Sequence, residues 1–292
     1  MTKIILHLGA HRTASTHVQG VLAKNQALLA AAGIGAPCQE DIKTALTKPI
    51  NVFPAPAQAG YALLLKRSGC EGRKTVVISD ENLLGFLNNI FSHGEFYPDT
   101  AHNMAELKAF LPVSPAKIVI AIRPYASFFA SAYGRWLAPK RMVLPRAVLS
   151  ELVLGVARGW PDVLVEVAAA FPESELRISE YSPDPRFGHS QLKAILGPLA
   201  DDLVFNPDFR WNRSMSARQT MLFEQALAEG EFEKAEDIRT WKRFKQPPLL
   251  EGFWDDPTLS ALKARYAADK AAILRRFPAF VMANRFERQD AG

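Results

Sequence analysis

The chain has 292 residues, 48% hydrophobic and 22% charged, a balance that excludes collagen-like, coiled-coil and wholly disordered architectures. Its 35 Lys and Arg against 30 Asp and Glu leave a formal net charge of +5, too diffuse to name nucleic acid as a partner but suited to an anionic ligand. Its two cysteines, Cys38 and Cys70, stand in no metal-like spacing, which excludes a disulfide framework and points to a reducing compartment.

The first element is a short apolar run, Ile4–Leu8. It is shorter than the ~7–15 apolar residues of a secretory leader, and no small-residue cleavage site follows. No apolar run in the chain reaches the ~18 residues of a membrane span. The chain is therefore expected to begin with a core strand, in the cytoplasm. A helix is predicted over Thr16–Ala32, ending at Gly33, a fitting residue for a helix C-terminus. Lys48–Ala59, with three prolines, reads as a loop or lid.

Further strands are predicted at Thr75–Ser79, Lys117–Ile122 and Glu175–Ser179. The first three strands of the chain are continuously apolar rather than alternating, the pattern of a parallel sheet covered on both faces. Helices are predicted at Met104–Leu111 and Tyr125–Leu137, the second with Pro124 in its first turn. Beyond the fourth strand the chain turns helical, with Ser216–Glu229 and Thr258–Phe277 the clearest segments. Gln246–Pro257 reads as a second loop or lid. The sum is a single three-layer α/β domain, its core over about residues 3–181 and a helical cap over about 182–292.

The segment after the first strand, Gly9-Ala10-His11-Arg12-Thr13-Ala14-Ser15-Thr16, carries the most chemistry. A buried strand running through small residues into a helix aims backbone N–H groups and the helix dipole at one spot, an anion site. Arg12 adds a fixed charge, and Thr13, Ser15 and Thr16 add hydroxyls. It is no nucleoside-triphosphatase phosphate loop, because Ala14 and Ser15 stand where that motif needs its second glycine and its lysine. A bare strand–helix turn capped by Ser15 or Thr13 is the competing reading.

This stretch resembles the 5′-phosphosulfate loop of sulfotransferases that use 3′-phosphoadenosine 5′-phosphosulfate (PAPS), and most of all its bacterial form. Arg12 stands for the lysine of that loop, Ala14 for the glycine and Ser15-Thr16 for the paired threonines. Alanine at 14 calls for a backbone with negative φ. A second match follows the third strand, where Arg123 is followed eight residues on by Ser131. In the same family such a pair grips the 3′-phosphate of PAPS. A weaker likeness lies at Leu176–Tyr181, and the resemblance covers roughly residues 3–181. The competing reading of Arg123 is a structural ion pair.

The resemblance implies transfer of a sulfuryl group from PAPS, as co-substrate, to a hydroxyl or amine of a glycan, lipid or small metabolite, with no metal. Arg12 would stabilise the leaving phosphate oxygen. Thr13, Ala14, Ser15 and Thr16 would hold the 5′-phosphate, and Arg123 and Ser131 the 3′-phosphate. Glu81, at the end of the second strand, is the expected general base; Asp80 is the runner-up and also a helix cap. The spacing of His7, His11 and His17 matches no zinc pattern. The basic and aromatic runs Arg210–Arg213 and Arg239–Lys245 fit either a ligand lid or a solvated helix face. Two alternatives stay open: a nucleotide kinase with a degenerate loop, and a non-catalytic nucleotide-binding module.

Overall fold

A computed structural model describes residues 2–51, 57–205, 215–235 and 252–278. Both basic and aromatic runs, Arg210–Arg213 and Arg239–Lys245, lie outside the described residues, as does the first half of the Gln246–Pro257 stretch.

Five strands form one parallel sheet: β1 (Lys3–Gly9), β2 (Ile34–Gly35), β3 (Thr75–Ser79), β4 (Lys117–Ile122) and β5 (Glu175–Glu180), in the order β2-β3-β1-β4-β5. β1 is central, pairing Lys3 with Thr75 on one side and Ile5 with Lys117 on the other. The continuous apolar runs are explained by two separate cores. Ile4, Leu6 and Leu8 join Val76, Ile78, Ile118 and Ile120 on one face, whereas Ile5, Val77 and Val119 point to the other. Alternation along a strand fills both faces only if both are apolar, so the sheet is the middle layer of three.

The smaller face is covered by α1 (Ser15–Lys24), α2 (Gln26–Ala31) and, later in the chain, the helix over Phe187–Leu196. The single helix expected over Thr16–Ala32 is thus two. Asn25 interrupts it, with its side chain donating to Val21 O at 2.8 Å and accepting from Val204 N at 2.9 Å. An asparagine that can satisfy backbone groups itself competes with the helical ladder.

The larger face is covered by α3 (Gln39–Ile42), α4 (Lys48–Asn51), α5 (Ala57–Ser68), α6 (Asn88–His93), α7 (Thr100–Phe110), α8 (Tyr125–Lys140), α9 (Arg146–Gly155) and α10 (Trp160–Ala170). Lys48–Ala59, expected to be a loop, is helical at both described ends. α4 continues without a break from α3 through a π-helical turn over Lys43–Thr47, so Pro49 lies within a helical run rather than at its start. Pro124 is not inside the first turn of α8 but caps it from outside. α11 (Phe187–Leu196), α12 (Ala217–Ala228) and α13 (Asp256–Arg276) complete the described helices named here. Phe223, Leu262 and Ile273 of the last two enter the same core as β1 and β4. No described helix is long and apolar enough to cross a membrane.

The chain leaves β1 toward β2 and leaves β4 toward β5, on opposite sides of the sheet. A crevice opens between the C-terminal ends of strands whose connections diverge in this way. The two segments that carry Arg12 and Arg123 both emerge there.

Candidate anion site

The loop from Gly9 to Ala14 is held in a sparsely populated backbone conformation. Gly9, Arg12 and Ala14 all have positive φ, at 85°, 62° and 65°. Ala14 therefore lacks the negative φ that an alanine at this position calls for. The chain must reverse at this point to start α1, and surrounding contacts hold it there. Thr13 Oγ1 donates to Ala10 O at 2.6 Å, Ala10 N to Ala121 O at 3.2 Å, and His11 N to Tyr97 Oη at 3.3 Å. Arg123 Nη1 donates to Arg12 O. Removing the Cβ at 14 should relieve this strain: Ala14→Gly is expected to stabilise the protein by about 1 kcal/mol, since the left-handed conformation costs a non-glycine residue about 1–2 kcal/mol. Thermal unfolding should rise by roughly 2–4 °C; a fall would place the loop's preference elsewhere.

Ala14 is the cap residue of α1, and no side chain caps that helix. By contrast, Ser216 caps α12 and Asp255 caps α13 with their own oxygens. The cap by Ser15 or Thr13 on which the competing reading rests is thus absent. Thr13, 1% exposed, spends its hydroxyl within the loop. The start of α1 is left to backbone N–H groups and the helix dipole, the arrangement that takes an anion.

Arg12 Nε donates to Ser131 Oγ at 2.8 Å. Arg123 Nε donates to Ser127 Oγ at 3.0 Å, and its guanidinium lies over the Tyr181 ring, 4.5 Å from the centroid. Arg123 and Ser131, the two expected contacts of the 3′-phosphate, are thus joined at this place by Arg12 and Ser127. Ser127 and Ser131, one turn apart on α8, each receive one guanidinium. Arg123 is 5% exposed and has no ion pair among the described residues. Burial, then the Arg123 and Arg135 charges, push the Arg12 guanidinium down to about 10. Burial does the same to Arg123. Positive groups crowded together out of water are costly, and a bound anion offsets that cost.

The carboxylates at the end of β3 divide their roles. Asp80 is 1% exposed; its Oδ1 accepts from Asn82 N at 2.9 Å and Asn82 Nδ2 at 2.7 Å, and its Oδ2 accepts from Thr47. Its capping role is as expected, and the same contacts leave it enclosed. Burial and the neighbouring Glu81 charge raise its pKa. Glu81 is partly exposed and stands beside the loop. Its Oε2 accepts from Gln19 Nε2 at 2.8 Å. Burial alone would raise its pKa, but His11, its own backbone N–H, Gln19 and Ser15 together hold it below the usual range. Glu81 is therefore a carboxylate at neutral pH, in reach of solvent and of α1.

The three histidines go to different partners. His7 Nδ1 meets Ser79 Oγ at 2.7 Å, and burial lowers its pKa to about 4. His17 packs edge-on against Phe205. His11 Nε2 lies 3.2 Å from Asn82 Oδ1 and Nδ1 3.0 Å from Tyr97 Oη. Asn82 already donates to Asp80, so its oxygen accepts from His11 Nε2–H; burial lowers the pKa of this imidazole, and the neighbouring Glu81 charge opposes that. The network Thr47–Asp80–Asn82–His11–Tyr97 thus braces the loop from below.

Sequence reasoning did not find Gln19, Tyr97 or Arg135. Arg135 had a signal, because it lies four residues beyond Ser131 and so on the same helical face. Gln19 and Tyr97 had none, since their parts depend on tertiary contacts. No family model, curated protein or solved structure matches the chain.

Proposed function

We propose that the protein is a PAPS-dependent sulfotransferase acting on a hydroxyl or amine acceptor. The observation that carries this reading is the convergence of Arg12 and Arg123 at an uncapped helix N-terminus between β1 and β4. The crevice suits a nucleotide bearing several negative charges. A Walker-type lysine is missing from the loop, which favours this reading over a kinase. PAPS supplies the activated sulfuryl group.

In this account the residues work by position and charge, as in phosphoryl transfer. The first N–H groups of α1, with Ser15 and Thr16, hold the 5′-phosphate. Arg12, steered by Ser131, stabilises negative charge that develops on the leaving oxygen. Arg123 braces the Arg12 carbonyl, so the loop stays in shape when the anion arrives. Glu81, already ionised, accepts the acceptor's proton.

Two measurements test the reading together. Millimolar adenosine 3′,5′-bisphosphate, the nucleotide product, should raise the melting temperature of the protein, and ATP should raise it less. Glu81→Gln should lower transfer at least 100-fold, the scale of general-base catalysis, and leave the nucleotide-induced stabilisation within about 1 °C of wild type. Retained turnover in that variant would remove Glu81 from the role.

A further inference from the structure

We infer that Gln19 is a positioning residue: its side-chain amide ties the Glu81 carboxylate to the helix that starts at the anion site, and so aims the base. The inference rests on the role proposed for Glu81 above and extends it to a residue of α1.

Gln19 stands in the second turn of α1, four residues beyond Ser15 and so on the same face. Its Nε2 donates to Glu81 Oε2 at 2.8 Å and to Ser79 O at 3.2 Å. The amide fits only this way round. Turned over, its oxygen would meet a carboxylate and a carbonyl, both of them acceptors. Two amide hydrogens on two acceptors fix the plane of the side chain as well as its direction. The Ser79 carbonyl lies past the last β2–β3 pair, Gly35 with Val76, and takes side-chain donors instead of a strand partner. Gln39 Nε2 is its second donor, at 2.6 Å. Ser15 also hydrogen-bonds Glu81. The helix that begins at the anion site therefore holds the carboxylate through two residues one turn apart.

In the proposed transfer a bond forms from the acceptor oxygen or nitrogen to sulfur. The bond from sulfur to the 5′-phosphate oxygen breaks, and the acceptor's proton passes to Glu81. The carboxylate must face the reacting group and be ionised when it arrives. A donated hydrogen bond serves both needs, because it fixes orientation and favours the charged form. The other titratable and charged groups around Glu81 are His7 on β1, His11 and Arg12 in the loop, Asp80 beside it and Tyr97 ahead of α7. Gln19→Met and Gln19→Glu leave all of these in place. Methionine keeps the length and loses the donor; glutamate keeps the shape and sets an acceptor and a like charge against Glu81.

Carbon-13 NMR of the Glu81 carboxyl against pH tests this in the full chain, the signal being assigned by its loss in Glu81→Gln. The titration midpoint should rise by about one pH unit in Gln19→Met, the scale of one hydrogen bond to a charged group, and further in Gln19→Glu. At a pH above that midpoint, PAPS turnover with water as the probe acceptor should fall about tenfold in Gln19→Met, on the same scale. Adenosine 3′,5′-bisphosphate should raise the melting temperature of Gln19→Met as it does that of wild type. A side chain that only fills space would leave both midpoint and turnover unmoved. A midpoint unmoved in both variants, or wild-type turnover in Gln19→Met, would overturn the assignment of Gln19 and leave the proposed function standing. If wild type neither gains stability from the bisphosphate nor turns over PAPS, the proposed function fails, and the positioning role of Gln19 with it.

Discussion

Arg12→Ala is expected to cost the protein roughly 10- to 100-fold in affinity for adenosine 3′,5′-bisphosphate, since hydrogen bonds to charged groups contribute about 1.5–3 kcal/mol each. The same change should barely alter the free protein. It removes the contact to Ser131, but it also removes a buried positive charge that Arg123 and Arg135 oppose. Those effects act in opposite directions, so the melting temperature without ligand should move by no more than about 3 °C. The signature is a large loss of binding with little loss of stability. A structural arginine would give the reverse. Arg12→Lys keeps the charge but not the planar fork, so it should recover only part of the affinity. Titration calorimetry and thermal unfolding of the three proteins check this.

The second large effect belongs to Gly9→Ala. Gly9 has φ at +85°, and a Cβ built there would lie 2.7 Å from Glu81 Cβ. Two costs add: about 1–2 kcal/mol for the left-handed backbone and about 1–3 kcal/mol for the overlap. The clash atom is the root of a side chain next to the backbone, so it cannot swing aside. The expected loss is about 3 kcal/mol, read as a melting temperature lowered by roughly 6–12 °C. Gly69→Ala is the internal control. Gly69 has φ at +62° but no atom within 4 Å of the built Cβ, so only the backbone cost applies. Glu81→Gly in the Gly9→Ala background should recover stability, because it removes the clashing Cβ. Equal losses at Gly9 and Gly69 would mean that the close packing of Glu81 on the loop contributes little.

These two residues show how the site was legible and where it was not. The strands were readable because β1, β3 and β4 each carry an unbroken apolar run, Ile4–Leu6, Val76–Ile78 and Ile118–Ile122, and only a sheet with two covered faces needs that. Arg12 and Arg123 were readable as cations placed just after such strands. What pattern alone did not give was their division of partners. Arg123 followed by Ser131 looks like one unit in sequence, yet a helix turn puts Ser127 nearer Arg123 and leaves Ser131 to Arg12. The positive φ at Ala14 was also hidden, because composition favours glycine there and only the tertiary braces from Tyr97, Arg123 and Thr13 explain why alanine is tolerated. Asp80 and Glu81 are adjacent and chemically alike, and only burial separates a structural carboxylate from one that solvent can reach. Asn25 shows the same limit in the helices: its break needs Val204, 179 residues away.

The mild net charge of +5 thus has a local counterpart. Arg12 and Arg123 meet at one crevice, where burial and the charge of its neighbour disfavour the Arg12 cation and an anion offsets that cost. The most direct test is a crystal structure of the protein grown with adenosine 3′,5′-bisphosphate. The account predicts a phosphate at the N-terminus of α1, within hydrogen-bond reach of the Arg12 guanidinium, with Glu81 facing the open side. Nucleotide bound elsewhere, or none at millimolar concentration, would contradict it.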